Sequence, residues 1–364
     1  EAAIAAAKLK TGREEERHPS CPGASQIGRT VSGYGASSVL AYAPGGLYLA
    51  GPYHGSTFSV VAIDSATVGP FDLGVVIVRS AIRVDRRTAQ VSIDSSGSDP
   101  IPHILSGVPI HLRDVRVYID RPETTLNPTS CDPFAVVSTL NGSGPRFSDP
   151  GDDSTVRVPN RFQVSNCSAL GFTPKLGFRL QGGTERGDFP SLHADLRPRR
   201  GDANIARATV TLPPSEFLEQ GHIDTVCTRR QFDAEKCPRG SVYGQATAIT
   251  PLLAAPLRGP VYLRSSENTL PDLVVPLRGN GIAIDLVGRV DSHRGGIRAT
   301  FDVVPDAPVT RFALTMKGGK RGILVNAEDL CARPQRALAR FVAQDNAGWI
   351  ERPLLHARCG GRKG

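Results

Sequence analysis

The chain is poor in several things that make a function readable. It has one Met (Met316), one Trp (Trp349), and only 6% aromatic residues. Sugar-binding modules usually present flat aromatic platforms, so this scarcity weighs against one; Tyr48, Tyr53 and Tyr262 are what keeps that reading alive. No apolar run is long enough to span a bilayer as a helix. There is no G-x-S-x-G nucleophile elbow, no H-E-x-x-H zinc pair and no phosphate-cradling Walker A loop. There is no C-x-x-C, and the eight His are scattered away from the cysteines, which argues against a zinc site. Catalysis by paired carboxylates is defined by spacing in three dimensions, so a hydrolase or lyase acting on a surface polymer stays open.

What is present points to an extended, turn-rich chain. Net charge is +8, carried by Arg dispersed through strands and loops and not by any basic block. A dispersed excess favours solubility and weak polyanion affinity; with no nucleic-acid-reading motif, no nucleic-acid partner is expected. The 38 Gly and 29 Pro are spread along all 364 residues, which suits many short strands joined by tight turns. The chain opens Glu1-Ala2-Ala3 and not with Met, and is expected to be a processed or excised piece with any signal peptide out of view.

Alternation of apolar and polar residues recurs, as in Val115-Arg116-Val117-Tyr118-Ile119-Asp120, Leu192-His193-Ala194-Asp195-Leu196 and Ala206-Arg207-Ala208-Thr209-Val210. Val75 to Val78 and Leu273 to Val275 read as strands buried on both faces. Helical patterning is confined to residues 2–10 and to 215–220, the latter started by Pro213-Pro214-Ser215. The expected fold is therefore all-β: tandem Ig-like or jelly-roll-like β-sandwich modules with one or two short helices.

An internal repeat organises the landmarks. Cys21-Pro22-x-x-Ser25-x-x-Gly28 recurs as Cys237-Pro238-x-x-Ser241-x-x-Gly244, and Gly46-Leu47-Tyr48-Leu49 as Pro260-Val261-Tyr262-Leu263. Phe71-Asp72-Leu73 is matched to Pro271-Asp272-Leu273, and Ile82 to Asp85 with Val287 to Asp291. Asn127 precedes Cys131 as Asn326 precedes Cys331. The implied division is a linker at 1–20, a first and incomplete module at 21–167, a second at 168–359 whose opening strands are 168–226, and a tail at 360–364. The repeat logic pairs Cys131 with Cys167 and Cys331 with Cys359, and a short loop pairs Cys227 with Cys237. Each such bond contributes about 3 to 4 kcal/mol on the chain-entropy view. Cys21 is left unpaired, its partner expected just upstream of Glu1. Disulfides imply an oxidising compartment.

Few side chains suggest sites. Asp149, Asp152 and Asp153, on a Gly-bearing turn, are calcium candidates because carboxylate oxygens suit that ion, although the order of a known calcium loop is missing. No other cofactor is expected. Arg186-Gly187-Asp188 and Arg200-Gly201-Asp202 spell an adhesion tripeptide and read by default as turns. Asn141-Gly142-Ser143 and Asn166-Cys167-Ser168 match the glycosylation pattern.

The Cys-Pro-x-x-Ser landmark, Gly69-Pro70-Phe71-Asp72-Leu73-Gly74, Asn127-Pro128-Thr129-Ser130-Cys131 and Val304-Pro305-Asp306-Ala307-Pro308 together resemble large secreted repeat proteins of high-GC actinobacteria, over roughly residues 20–360. The departure is the charged segment from Lys8 to His18, where a shorter cysteine loop would be expected. The resemblance implies an extracellular or cell-surface address and a style of domain, with no catalytic residues to carry over. The expected function is a non-catalytic structural or adhesion module. Its expected partners are neighbouring repeats of the same chain, or a surface protein or polysaccharide. A carbohydrate- or calcium-dependent binding module is the rival reading.

Overall fold

The computed structural model describes residues 1–35, 40–142 and 154–359, with the side chains of 94–97 left aside. The chain is all-β and disulfide-stapled, and it divides into two compact units: residues 1–85 with 90–126, and 86–89 with 127–364. Packing thus divides the chain after Leu126, and residues 127–167 fold with the second unit. Thr129 holds them there, its N–H and hydroxyl both donating to Asp306.

In the first unit two short helices, α1 (Ala2–Lys8) and α2 (Gly12–Arg17), precede the strands. Then come β1 (Gln26–Tyr34), β2 (Ala41–Ala50), β3 (Phe58–Val68), β4 (Phe71–Val84), β5 (Val91–Ser98), the two-residue pieces β6 (Ile104–Leu105) and β7 (Val108–Pro109), and β8 (Leu112–Tyr118). The sheet runs β5-β4-β3-β2-β1-β8, antiparallel throughout. Its small core joins Tyr48, Val61 and Ile63 to Ile4 and Ala7 of α1. The Lys8 to His18 segment is built in by Asp72, whose carboxylate accepts the Gly12 N–H at 2.8 Å and the Arg13 N–H at 3.1 Å. Desolvation opposes charge on Asp72, but the N–H donors of Arg13, Gly74 and Gly12 outweigh it and hold the carboxyl below its usual range.

The second unit begins with an isolated ribbon, β9 (Phe134–Gly142) and β10 (Ser154–Phe162), closed at its base by Cys131–Cys167. Next are β11 (Lys175–Gln181), β12 (Ser191–Arg197), β13 (Ile205–Thr211) and β14 (Glu216–Leu218), the helix α3 (Arg229–Asp233), and β15 (Val242–Ile249). β16 (Leu257–Arg264), β17 (Asp272–Gly279), β18 (Ile282–His293), β19 (Gly296–Phe301), β20 (Arg311–Met316) and β21 (Leu324–Asn326) follow. β22 (Leu338–Ala343), β23 (Gly348–Glu351) and β24 (Leu355–His356) close the unit. Twelve strands form one sheet, β23-β22-β13-β19-β18-β17-β16-β15-β20-β12-β11-β24. It curls until strands far apart in that order, such as β11 with Leu180 and β22 with Phe341, share one core. The turns at Asn280-Gly281 and Arg294-Gly295 have positive φ at both positions, the backbone that two-residue hairpins require.

The six middle strands, β19-β18-β17-β16-β15-β20, have the connectivity of the first unit's whole sheet. The registers match in detail. A bulge follows the first pair in both: Gln26↔Tyr48 then Gly28↔Leu47, and Val242↔Tyr262 then Gly244↔Val261. Both glycines sit where a strand passes too close for a side chain. A Cβ on Gly28 would lie 1.8 Å from the Tyr118 carbonyl oxygen, and one on Gly244 2.3 Å from that of Thr315.

The same registers correct two sequence matches. Val60 pairs with Ser80 and Leu273 with Gly288, so Asp272 falls at the place of Ser59 and not of Asp72. Ile82↔Ile93 answers Val290↔Ala299, so Asp291 falls at the place of Arg83 and not of Asp85. The hairpin loops differ in length, which slides the short motifs past one another. The helix expected at 215–220 is also overturned: Glu216–Leu218 pairs as a strand with β21. Two prolines ahead of it set an extended entry, and tertiary pairing overrides a weak local preference.

Gly28→Ala is expected to destabilise the first unit by about 1–3 kcal/mol through overpacking. Amide exchange in β1 and β8 should accelerate about tenfold or more, with the second unit unchanged. Wild-type exchange rates in β1 would show that the close approach carries no strain.

Candidate functional site

Three places gather chemistry. The first is a cleft of about 270 Å³ in the second unit, lined by Arg229, Glu267, Asp272, Asp285, Arg289 and Asp302 among others. Its carboxylates do not face one another as free groups. Glu267 pairs with Arg229 at 2.8 Å, Asp272 with Arg264 at 3.1 Å, Asp285 with Arg278 at 2.6 Å and Asp302 with Arg207 at 3.2 Å. The strands bring these residues together because every second position of β17, β18 and β19 turns to this face. The result is a set of ion pairs that engages each of these four carboxylates.

The second is Asp64, buried inside β3. Its carboxylate accepts hydrogen bonds from the hydroxyls of Thr30 and, at 2.5 Å, Ser32, both on β1. Burial pushes its carboxyl pKa up, and the two hydroxyls pull it back in part. Tyr34, next along the same strand face, is raised chiefly by burial and also by the Asp64 charge. By register, the places of Thr30, Ser32 and Asp64 are taken in the second unit by Ala246, Ala248 and Leu277, which are core. The first unit therefore carries a polar cluster where its counterpart is greasy.

The third is Glu216, fully buried on β14 opposite Asn326 of β21. Neither carboxyl oxygen of Glu216 has a hydrogen-bond partner, nor do Asn326 Oδ1 and Ser215 Oγ. The Asn326 amide nitrogen donates to the Glu185 carbonyl at 3.0 Å. With burial as the sole cause, the Glu216 carboxyl is pushed up to about 8. A neutral carboxyl carries one O–H donor, the complement of an orphaned amide oxygen across the strands. Sequence gave no signal for this residue: in Glu216-Phe217-Leu218 the charged side chain points in and the phenyl ring out.

The disulfides form as the sequence reading paired them. Cys131–Cys167, Cys227–Cys237 and Cys331–Cys359 have Cα separations of 5.7, 5.2 and 5.7 Å. Cys21 is outside any of them, half-buried, with burial and then the Glu15 charge raising its thiol pKa. α3 is capped by Thr228, directly after Cys227, and α2 by Thr11, directly after Lys10, which meets Glu15 at 3.6 Å.

The adhesion tripeptides are turns whose aspartates are already used. Asp188 accepts the Glu185 N–H at 2.9 Å, and Asp202 takes the Thr173 N–H and the Arg199 guanidinium, both at 2.8 Å. Asn141 is exposed on β9 and accepts from Thr155, while Asn166 is exposed beside the bonded Cys167. Asp149, Asp152 and Asp153 lie outside the described residues. The aromatics do not converge: Trp349 flanks the main core, Tyr262 a smaller cluster at Cys227, and Tyr48 the core of the first unit. Among the described residues no three His, Cys, Asp or Glu side chains group as metal ligands, and no helix is long and apolar enough to cross a membrane. Three disulfides place the chain in a non-cytoplasmic, oxidising setting.

Two measurements follow. Native, non-reducing alkylation should label Cys21 alone; three or more labels would contradict the bonded pairs. For Glu216 the folded state binds the proton more tightly than the unfolded chain does, so stability falls as pH rises from 4.5 to about 8. At about 1.4 kcal/mol per pH unit the loss approaches about 5 kcal/mol. Glu216→Gln keeps the shape without the charge, so its unfolding free energy should lose this slope. Superimposable pH profiles for the two proteins would refute a neutral buried carboxyl.

No protein-family model, curated protein or solved structure matches the chain.

Proposed function

We propose that the chain is a non-catalytic structural or adhesion module of an exported bacterial repeat protein, built from two copies of one six-stranded unit. The observation that carries this reading is the identical strand order, with an identical bulge, in β5-β4-β3-β2-β1-β8 and β19-β18-β17-β16-β15-β20. A unit repeated along one chain suits spacing and display, and its natural contacts are neighbouring repeats and the polymers or proteins of a cell surface. The covalent clamps support an extracellular address, where no chaperone restores an opened fold. The cleft supports the non-catalytic part, because Glu267 is paired with Arg229 of α3, and Asp272 and Asp285 with Arg264 and Arg278 of the sheet.

The test is to incubate the full chain with purified cell-wall polysaccharides, with and without calcium, and to measure both co-sedimentation and new reducing ends. Co-sedimentation with no release of sugar is expected. Sugar release that Asp285→Asn or Asp272→Asn abolishes would overturn the proposal in favour of a hydrolase.

A further inference from the structure

The two units differ most at the ends of their sheets. In the second unit β20 is not an edge: β12 pairs with it, placing Leu192 opposite Met316, Ala194 opposite Leu314 and Leu196 opposite Phe312. β11 then pairs with β12, so the hairpin carries the sheet on past β20. Met316 is 4% exposed, and Phe312 and Leu314 pack against the core that the curled sheet encloses.

In the first unit the strand in the place of β20 is β8, which ends the sheet. The pairs Thr30↔Val117 and Ala246↔Leu314 set the correspondence: Val115 stands for Phe312, Val117 for Leu314 and Ile119 for Met316. These three share one face and are 53%, 54% and 52% exposed. The opposite face of β8 is already engaged. Arg116 pairs with Asp114 at 2.6 Å and lies 5.2 Å from the Tyr42 ring, and Arg29 stacks 4.0 Å over Tyr118 while pairing with Asp120 at 2.9 Å. Among the described residues nothing hydrogen-bonds to the outer edge of β8. The strand has neither Lys nor Pro, two common devices by which proteins protect an open edge.

We infer that β8 is an acceptor edge for an antiparallel β-hairpin of the β11–β12 type, donated by another segment of polypeptide in the repeat array. The inference rests on the duplication reading above, because the second unit is what shows the shape and chemistry of the occupant. The donor strand is extended and alternates apolar with polar residues, as Ser191–Arg197 does with Leu192, Ala194 and Leu196 on one face. Its register is fixed too: residues of the Leu192, Ala194 and Leu196 kind fall opposite Ile119, Val117 and Val115. Main-chain pairing supplies affinity and the apolar face supplies selection, which is strand addition to a sheet edge.

The probe is a synthetic peptide spanning residues 174–198 of this chain, which carries β11 and β12. It is added in excess to the intact, disulfide-bonded protein, and amide exchange is followed by mass spectrometry. Protection of residues 112–119 is expected to rise about tenfold, with residues 311–316 unaffected. Val117→Lys and Val115→Lys, both at exposed positions and checked for native circular dichroism, should each remove that protection. No added protection at millimolar peptide, or protection that survives both lysines, would overturn the inference. Protection already present without peptide and lost on dilution would assign the edge to a second copy of the chain, and would overturn the donor-hairpin inference equally. None of these outcomes bears on sugar release, so failure here is distinguishable from failure of the structural-module reading.

Discussion

A β-sheet satisfies its backbone everywhere except at its two ends, where a row of N–H and C=O groups must find water, a further strand or a covering element. Much of this protein is a response to that requirement. The second unit meets it by adding β12, β11 and β24 on one side of its six middle strands and β13, β22 and β23 on the other, until the sheet curls round a shared core. The first unit has the same six strands without these additions, and supports one face with α1 and α2 instead. Its outer strands accordingly carry exposed apolar side chains, Val91 and Ile93 on β5 and Val115 and Val117 on β8.

The interiors of the two units differ along with the edges. Where the second unit buries Ala246, Ala248 and Leu277, the first buries Thr30, Ser32 and Asp64, a hydrogen-bonded set that holds together only if all three partners are present. Glu216 presents the opposite case, a buried acid with no hydrogen-bond partner among the described residues, whose carboxyl is pushed up to about 8 by burial alone. Both are polar groups whose neighbours, and not their own chemistry, decide their state.

The all-β class, the strand alternation and the cysteine pairs were legible in the sequence because each follows from local pattern or from spacing repeated along the chain. The strand Ser191–Arg197 is an example, since its apolar residues recur at every second position. The exact matching of the two halves was not legible, because hairpin loops of unequal length displaced Asp272 from Asp72 and Asp291 from Asp85. Only the paired registers restored the alignment. Glu216 was hidden for a different reason: its burial is imposed by β21, more than a hundred residues later in the chain, and no nearby residue announces it.

The Cys331–Cys359 bond encloses β22, β23 and β24, including the parallel pairing of β24 on β11. Tension arriving along the backbone at Cys359 passes through sulfur directly to Cys331. The enclosed strands then lie outside the line of force, and a pull toward the C-terminus cannot peel them away one hydrogen bond at a time.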